Sequence, residues 1–127
     1  MKVICKFNDP LRLPVDFPNN FDYGLEVEKE YLVMGMALYR NDNNLHYLVD
    51  DNSRPNWFPY QIFIISDNSL PNDWFIKIKE NKEQTDIHTI WGFYELCNDE
   101  RYYDLLIDRD KAALDVYYKY KKSYKII

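Results

Sequence analysis

Two histidines, two cysteines and a few adjacent acids are the side chains of this 127-residue sequence with the reactivity to carry chemistry. His46 and His88 are the groups that titrate near neutrality without help, and each stands alone in a stretch that reads as a strand or strand edge. A Cys97 nucleophile activated by His88 is conceivable, since such partners need not be neighbours in sequence, but no oxyanion loop or family signature surrounds Cys97. Structural zinc needs four ligands at recognisable spacing, which Cys5, His46, His88 and Cys97 do not provide. Gly24, Gly35 and Gly92 lie too far apart to form a phosphate cradle. Paired carboxylates can hydrolyse glycosides, and Asp50-Asp51 and Asp99-Glu100 are adjacent pairs, with Asp50 and Glu100 the acids of a hydrolase reading. Neighbours in a strand, however, point to opposite faces. The expectation is therefore a protein that is not an enzyme and that uses neither cofactor nor metal.

The elements that would position these residues are mostly strands. Residues 1 to 7 alternate weakly, after which Pro10, Pro14 and Pro18 break regular structure. Glu26, Glu28 and Glu30 occupy alternate positions, yet the next even positions are Leu32, Met34, Met36 and Leu38. One flat strand cannot serve both patterns, so either the chain bends near Glu30 or the strand starts at about Tyr31. From Tyr31 to Tyr39 both faces are apolar, as in a central or strongly curved strand, with Gly35 where a barrel corner commonly needs the missing side chain. Asn41-Asp42-Asn43-Asn44 then forms the clearest hairpin turn, leading into Leu45 to Val49. Asp50 to Pro59 reads as a loop carrying Trp57 and Phe58 between two prolines, and Gln61 to Ile65 as a buried strand. Trp74, Ile76 and Ile78 alternate against Phe75, Lys77 and Lys79, the pattern of a strand with one solvated face. A charged loop, residues 81 to 86, precedes a last strand from Ile87 to Phe93.

After Cys97 the period changes to that of helices. Asn98 or Asp99 is positioned to cap one containing Tyr102, Leu105 and Leu106, and Asp108 a second with Ala113, Val116, Tyr117 and Tyr120 on one stripe. The predicted architecture is a single α+β domain of three parts: an irregular arm with one short strand over 1–24, a β-rich core over 25–96 and two helices over 97–124. Its antiparallel sheet is expected to be small and strongly curved, curled toward a barrel and closed by the C-terminal helical hairpin.

Composition supports a folded core, since 46% of residues are hydrophobic and 17% aromatic. A net charge of −5 argues against nucleic acid as a partner, whose binding draws on Lys and Arg, and against an anionic membrane surface. The longest apolar run, Tyr31 to Tyr39, falls well short of the roughly 20 residues that span a bilayer. No export segment is visible in the first ten residues, so the expected location is the cytoplasm, with Cys5 and Cys97 reduced and acting as small apolar side chains. Charge is also segregated: residues 111 to 127 hold five Lys and one Asp, net +4, so residues 1 to 110 carry −5 minus 4, or −9. A solvated surface with lysines matched to a helix end explains this pattern, and so does a surface that steers a cationic partner. The acids expected on that surface are Asp42, Asp50, Asp51, Asp99, Glu100 and Asp104, with Trp57 as core plug or interface anchor.

Several segments share the order seen in a group of small bacterial proteins. They are Lys29-Glu30-Tyr31-Leu32-Val33, Tyr47-Leu48-Val49-Asp50-Asp51, Pro55-Asn56-Trp57-Phe58-Pro59, Leu70-Pro71-Asn72-Asp73-Trp74, Trp91-Gly92-Phe93-Tyr94-Glu95-Leu96, Asp99-Glu100-Arg101-Tyr102-Tyr103 and Ala112-Ala113-Leu114. Across about residues 25 to 118 the chain resembles proteins encoded beside polymorphic-toxin genes. Its Lys-Glu-Tyr-aliphatic-Val segment is similar to an SH3-like barrel entry, with Glu28 where such entries usually have Gly. The resemblance implies an immunity protein that neutralises a cognate toxin domain, and the charge pattern makes a basic toxin the expected partner. An intracellular adaptor or a barrel that binds a peptide or small ligand is the alternative.

Overall fold

The two-faced apolar run from Tyr31 to Tyr39 is not one strand. In the computed structural model, which describes residues 1–7, 24–40, 44–51, 54–80 and 86–125, it divides between two sheets. Strand β1 (Lys2–Cys5) pairs with β2 (Glu30–Leu32), while β3 (Gly35–Tyr39) lies in the other sheet. Val33 and Met34 span the switch, and each is fully buried, Val33 in one core and Met34 in the other. The chain also bends before Glu30: Glu28 adopts φ 73°, the left-handed conformation that favours glycine.

The remaining elements are β4 (Leu45–Asp51), β5 (Arg54–Pro59), a 3-10 turn (Tyr60–Ile62), β6 (Phe63–Asp67), β7 (Phe75–Ile78), β8 (Ile87–Gly92), α1 (Tyr94–Asn98), α2 (Tyr102–Ile107) and α3 (Lys111–Lys125). The smaller sheet has the order β2-β1-β6 and the larger β5-β4-β3-β8-β7, and the strand pairings among the described residues are antiparallel. The fold is thus α+β, as expected. Among the described residues no pairing closes either sheet, and β5 and β7 are the edges of the larger one.

The larger sheet is the middle of three layers. Tyr47, Val49 and Phe58 face the smaller sheet and pack with Val3, Cys5, Tyr31, Val33 and Phe63. Leu48, one residue out of phase, faces the helices and joins Ala37, Ile90, Leu96, Tyr102, Leu106 and Tyr117. Gly35 and Gly92 are register partners beneath α1. A Cβ on Gly35 would sit 2.5 Å from Leu96 Cδ2, and one on Gly92 2.6 Å from the same atom, so a side chain at either position requires Leu96 to shift.

Three local expectations need correction. Residues 54–59 form a strand, not a loop: Pro55 and Pro59 are tolerated because β5 lies at an edge. The run from Gln61 to Ile65 is not a buried strand. Its first two residues fall in the 3-10 turn, and β6 is an edge that leaves Ile64 and Ile65 about half exposed. Strand β7 buries neither face; Phe75, Ile76 and Ile78 are 47%, 59% and 55% exposed.

Among the described residues a short helix, α1, precedes the two expected helices α2 and α3. Asp108 ends α2 instead of starting α3, and the cap falls to Asp110, whose Oδ2 accepts a hydrogen bond from Ala113 N at 3.1 Å. Arg109, at φ 62°, makes the sharp turn between them and donates from Nη1 to Pro55 O at 2.6 Å, tying the helix pair to β5. The prolines at 10, 14 and 18 and the turn residues 41–43 lie outside the described residues. No helix among the described residues is long and apolar enough to cross a membrane.

Candidate functional site

A cleft of about 780 Å³ opens where β7 and β8 meet the start of the helical layer. Its floor is apolar, made by Ile87 and Ile90 of β8 with Leu96 and Cys97 of α1. Among the described residues its rim carries the carboxylates Glu80, Asp86, Asp99, Glu100 and Asp104 and the cations Lys77 and Lys79. The described lining residues carry 2 minus 5, or −3.

Three of the rim acids, Asp86, Asp99 and Asp104, are placed by their local structure. Asp99 Oδ1 accepts Arg101 N at 3.0 Å and Asp99 O accepts Tyr102 N at 3.0 Å, so Asp99 starts the turn that becomes α2. Asp104 lies in the first turn of α2, where negative charge meets the positive end of the helix dipole. Asp86 O accepts Arg40 N at 2.7 Å across the end of β3, and Arg40 Nη2 donates to Lys79 O. These main-chain ties hold the segments that carry Lys79 and Asp86 beside the helix start. The tyrosine pair Tyr39 and Tyr103 bounds the cleft, with hydroxyls 2.7 Å apart. Tyr103 is backed in turn by Trp57, whose ring stacks on it at 5.7 Å with 24° between planes. Burial raises the Tyr103 phenol above its ordinary value.

Three of the acids expected on the surface, Asp99, Glu100 and Asp104, come together here and are exposed. Trp57 is half-buried behind Tyr103, a support for the rim. Asp50 and Asp51 lie elsewhere: the register runs from Leu38↔Leu45 beside the cleft to Asp50↔Pro55 and Asp51↔Arg54 at the far end of β4. The expected exposure of Asp50 is corrected outright. Its side chain is 7% exposed, ion-paired with Lys121 of α3, and accepts a hydrogen bond from Tyr117 Oη at 3.1 Å. A partly buried cation and a buried phenol satisfy a carboxylate that sequence alone places in a loop. Asp50 and Glu100 accordingly do not share a site. Asp42 lies outside the described residues.

Sequence reasoning missed Glu80, Asp86, Tyr39 and Tyr103. Asp86 closes a charged run that was visible, but which wall such a run joins depends on strand order. The Cys97 thiol lies 3.5 Å from the carbonyl oxygens of Phe75 and Gly92 and 3.7 Å from that of Ile90. Burial pushes it up to about 11, away from the thiolate that a nucleophile requires. His88 does not join it; its Nδ1 lies 2.6 Å from Thr89 Oγ1. Cys5 and Cys97 are both buried and free, in separate cores.

Comparison with models of known protein families, with curated proteins and with solved structures finds no match.

Proposed function

We propose that this chain is an immunity-type binding protein that docks a basic bacterial toxin domain on the cleft and occludes that domain's active or substrate-binding site. The observation that carries the reading is the ring of carboxylates over an apolar floor. Carboxylates steer and hold a cation, while the floor accepts the aliphatic stem of a Lys or Arg side chain. The resemblance to proteins encoded beside polymorphic-toxin genes supplies the biological role, and we read the turn at Glu28 leading into β2 as the SH3-like entry it implies. Binding centres on Asp99, Glu100 and Asp104, with Trp57 supporting the rim from behind. The cleft's volume also suits a small ligand or peptide, which is the second reading.

The test starts with capture on the immobilised chain from a lysate of its native host, in low salt. The gene of a captured basic protein is then expressed in a heterologous bacterium with and without this chain. The expected result is growth arrest relieved by the wild-type chain and not by the Asp99→Lys, Glu100→Lys, Asp104→Lys triple variant. Equal relief by that variant removes the cleft from the mechanism, and a captured protein that leaves growth unaffected removes the immunity role. Association with the purified partner should slow markedly as salt is raised to about 0.5 M, because the Debye length falls to a few ångströms.

A further inference from the structure

Among the described residues strand β7 is an edge with an exposed apolar face. Ile76 and Ile78 share a face with their register partners Trp91 and Thr89, while Phe75 and Lys77 turn to the helical side opposite Gly92 and Ile90. Exposed Tyr94 of α1 meets Phe75 edge to face at 5.5 Å, extending the apolar surface past the strand. Lys79 N donates to His88 O at 2.8 Å, which fixes the phase of the ladder. Antiparallel pairing alternates, so the residues whose main-chain groups turn away from β8 are Ile76 and Ile78. Most edge strands are protected against added strands. The one charge within β7 is Lys77.

We propose that β7 pairs with β7 of a second copy, antiparallel about a two-fold axis at Ile76, joining the two larger sheets into one. In sequence the segment Asp73-Trp74-Phe75-Ile76-Lys77-Ile78-Lys79 is self-complementary about that point; Phe75–Ile78 is strand, and Trp74 N, which donates to Pro71 O at 3.4 Å, turns to the partner on pairing. Ile76 meets Ile76, Trp74 meets Ile78, Lys77 lies against the ring of Phe75, and Asp73 meets Lys79, each heterologous pair occurring twice. A slip that sets Ile76 against Ile78 puts Lys77 opposite its own counterpart, and centring on Ile78 puts it opposite Lys79. Like charges directly opposite are destabilising, so Lys77 selects the register instead of guarding the edge. The other apolar edge, β6, ends in Asp67 and has no cation within the strand to meet it. An isologous contact of this kind closes on itself and stops at two copies. Lys77 and Lys79 also line the cleft, but the pairing is argued from the β7 edge and does not rest on the binding role proposed above.

Sedimentation of the full chain over a range of concentrations tests it. The expected result is a reversible dimer. Ile76→Pro removes the outward N–H and leaves the β8 ladder unchanged, so it should give a folded monomer. Asp73→Lys and Lys79→Asp should each weaken the dimer roughly tenfold through two symmetric pairs, and the double variant should restore it. That rescue separates the pairing from simple loss of fold. A wild-type chain that stays monomeric overturns the proposal and leaves the edge to a strand from another protein. A dimer that survives Ile76→Pro, or charge variants that fail to rescue one another, overturns it as well.

Discussion

Asp50 shows how one residue changes role when its neighbours are known. Read locally it is one of two acids at the end of a strand; in the structure it joins β4 to α3 through Lys121 and Tyr117, 71 and 67 residues away. Removing one partner of a buried pair leaves the other charged and dry, which costs several kcal/mol. Asp50→Ala leaves both Lys121 and Tyr117 without their acceptor and should cost about 3 kcal/mol. Lys121→Met leaves Asp50 its Tyr117 donor and should cost less. Urea unfolding gives both values, and a larger loss for Lys121→Met would show that the ammonium, not the carboxylate, is the centre of the pair. Glu28 offers the opposite case. It occupies φ 73° for an exposed ion pair, with Lys6 Nζ 2.9 Å from its carboxylate. Exposed pairs contribute little, whereas an L side chain in the left-handed region costs about 1 kcal/mol or more. Glu28→Gly is therefore expected to raise the urea midpoint, and a lowered midpoint would mean that the ion pair outweighs the backbone strain.

At the scale of elements, Leu96 is the point on which α1 meets the sheet. Its Cδ2 occupies the space of the absent Cβ of both Gly35 and Gly92, so either glycine replaced by alanine drives a methyl into a 2% exposed leucine. Overpacking of this kind costs about 1 to 3 kcal/mol. Gly92→Ala should be the worse of the two, because Gly92 also sits at φ 154° and its Cβ would lie 3.3 Å from Met34 O. Combining Gly35→Ala with Leu96→Val should cost less than the two changes added separately, since the shared contact is relieved. Additive losses would mean that the clash is relieved elsewhere. The sequence singled out Gly35 as the corner of a barrel, whereas in the structure its missing side chain makes room for Leu96 of α1. The hairpin from β3 to β4 was legible from its run of Asn and Asp. Strand β5 was not, because Pro55 and Pro59 forbid a central strand but not an edge, and edge position is a property of pairing order. The same limit hid the exposure of β6 and β7. In the cleft, Asp99, Glu100 and Asp104 could be found because they mark a helix start, while Glu80 and Asp86 needed the topology to bring β7 and β8 beside that helix.

For the whole molecule, the aromatic residues that fill the core also set its response to alkali. Tyr117 is fully buried and Tyr102 is 3% exposed, with Tyr102 Oη donating to Ala113 O at 2.7 Å and Tyr117 Oη to Asp50 Oδ1. Burial is the main cause that raises both phenols, Asp50 adds to it at Tyr117, and burial pushes the Cys97 thiol up to about 11. These groups are neutral when protonated, so their raised values mean that the native state holds its protons where the unfolded chain has lost them. Stability is then fully present below the unfolded values, near pH 8.5 for the thiol and about 10 for the phenols, and falls as pH rises beyond them. Each group kept wholly neutral in the native state removes about 1.4 kcal/mol per pH unit within its window. The urea midpoint should accordingly be level to about pH 8.5 and decline with increasing slope above pH ~10. The buried phenols should ionise only together with unfolding. Tyr117→Phe removes one titrating group and should flatten the alkaline slope by about one proton, even though it lowers stability at neutral pH through the bond lost to Asp50. A slope that Tyr117→Phe leaves unchanged, or tyrosinate absorbance complete before the fold is lost, would show that the phenols reach solvent without unfolding.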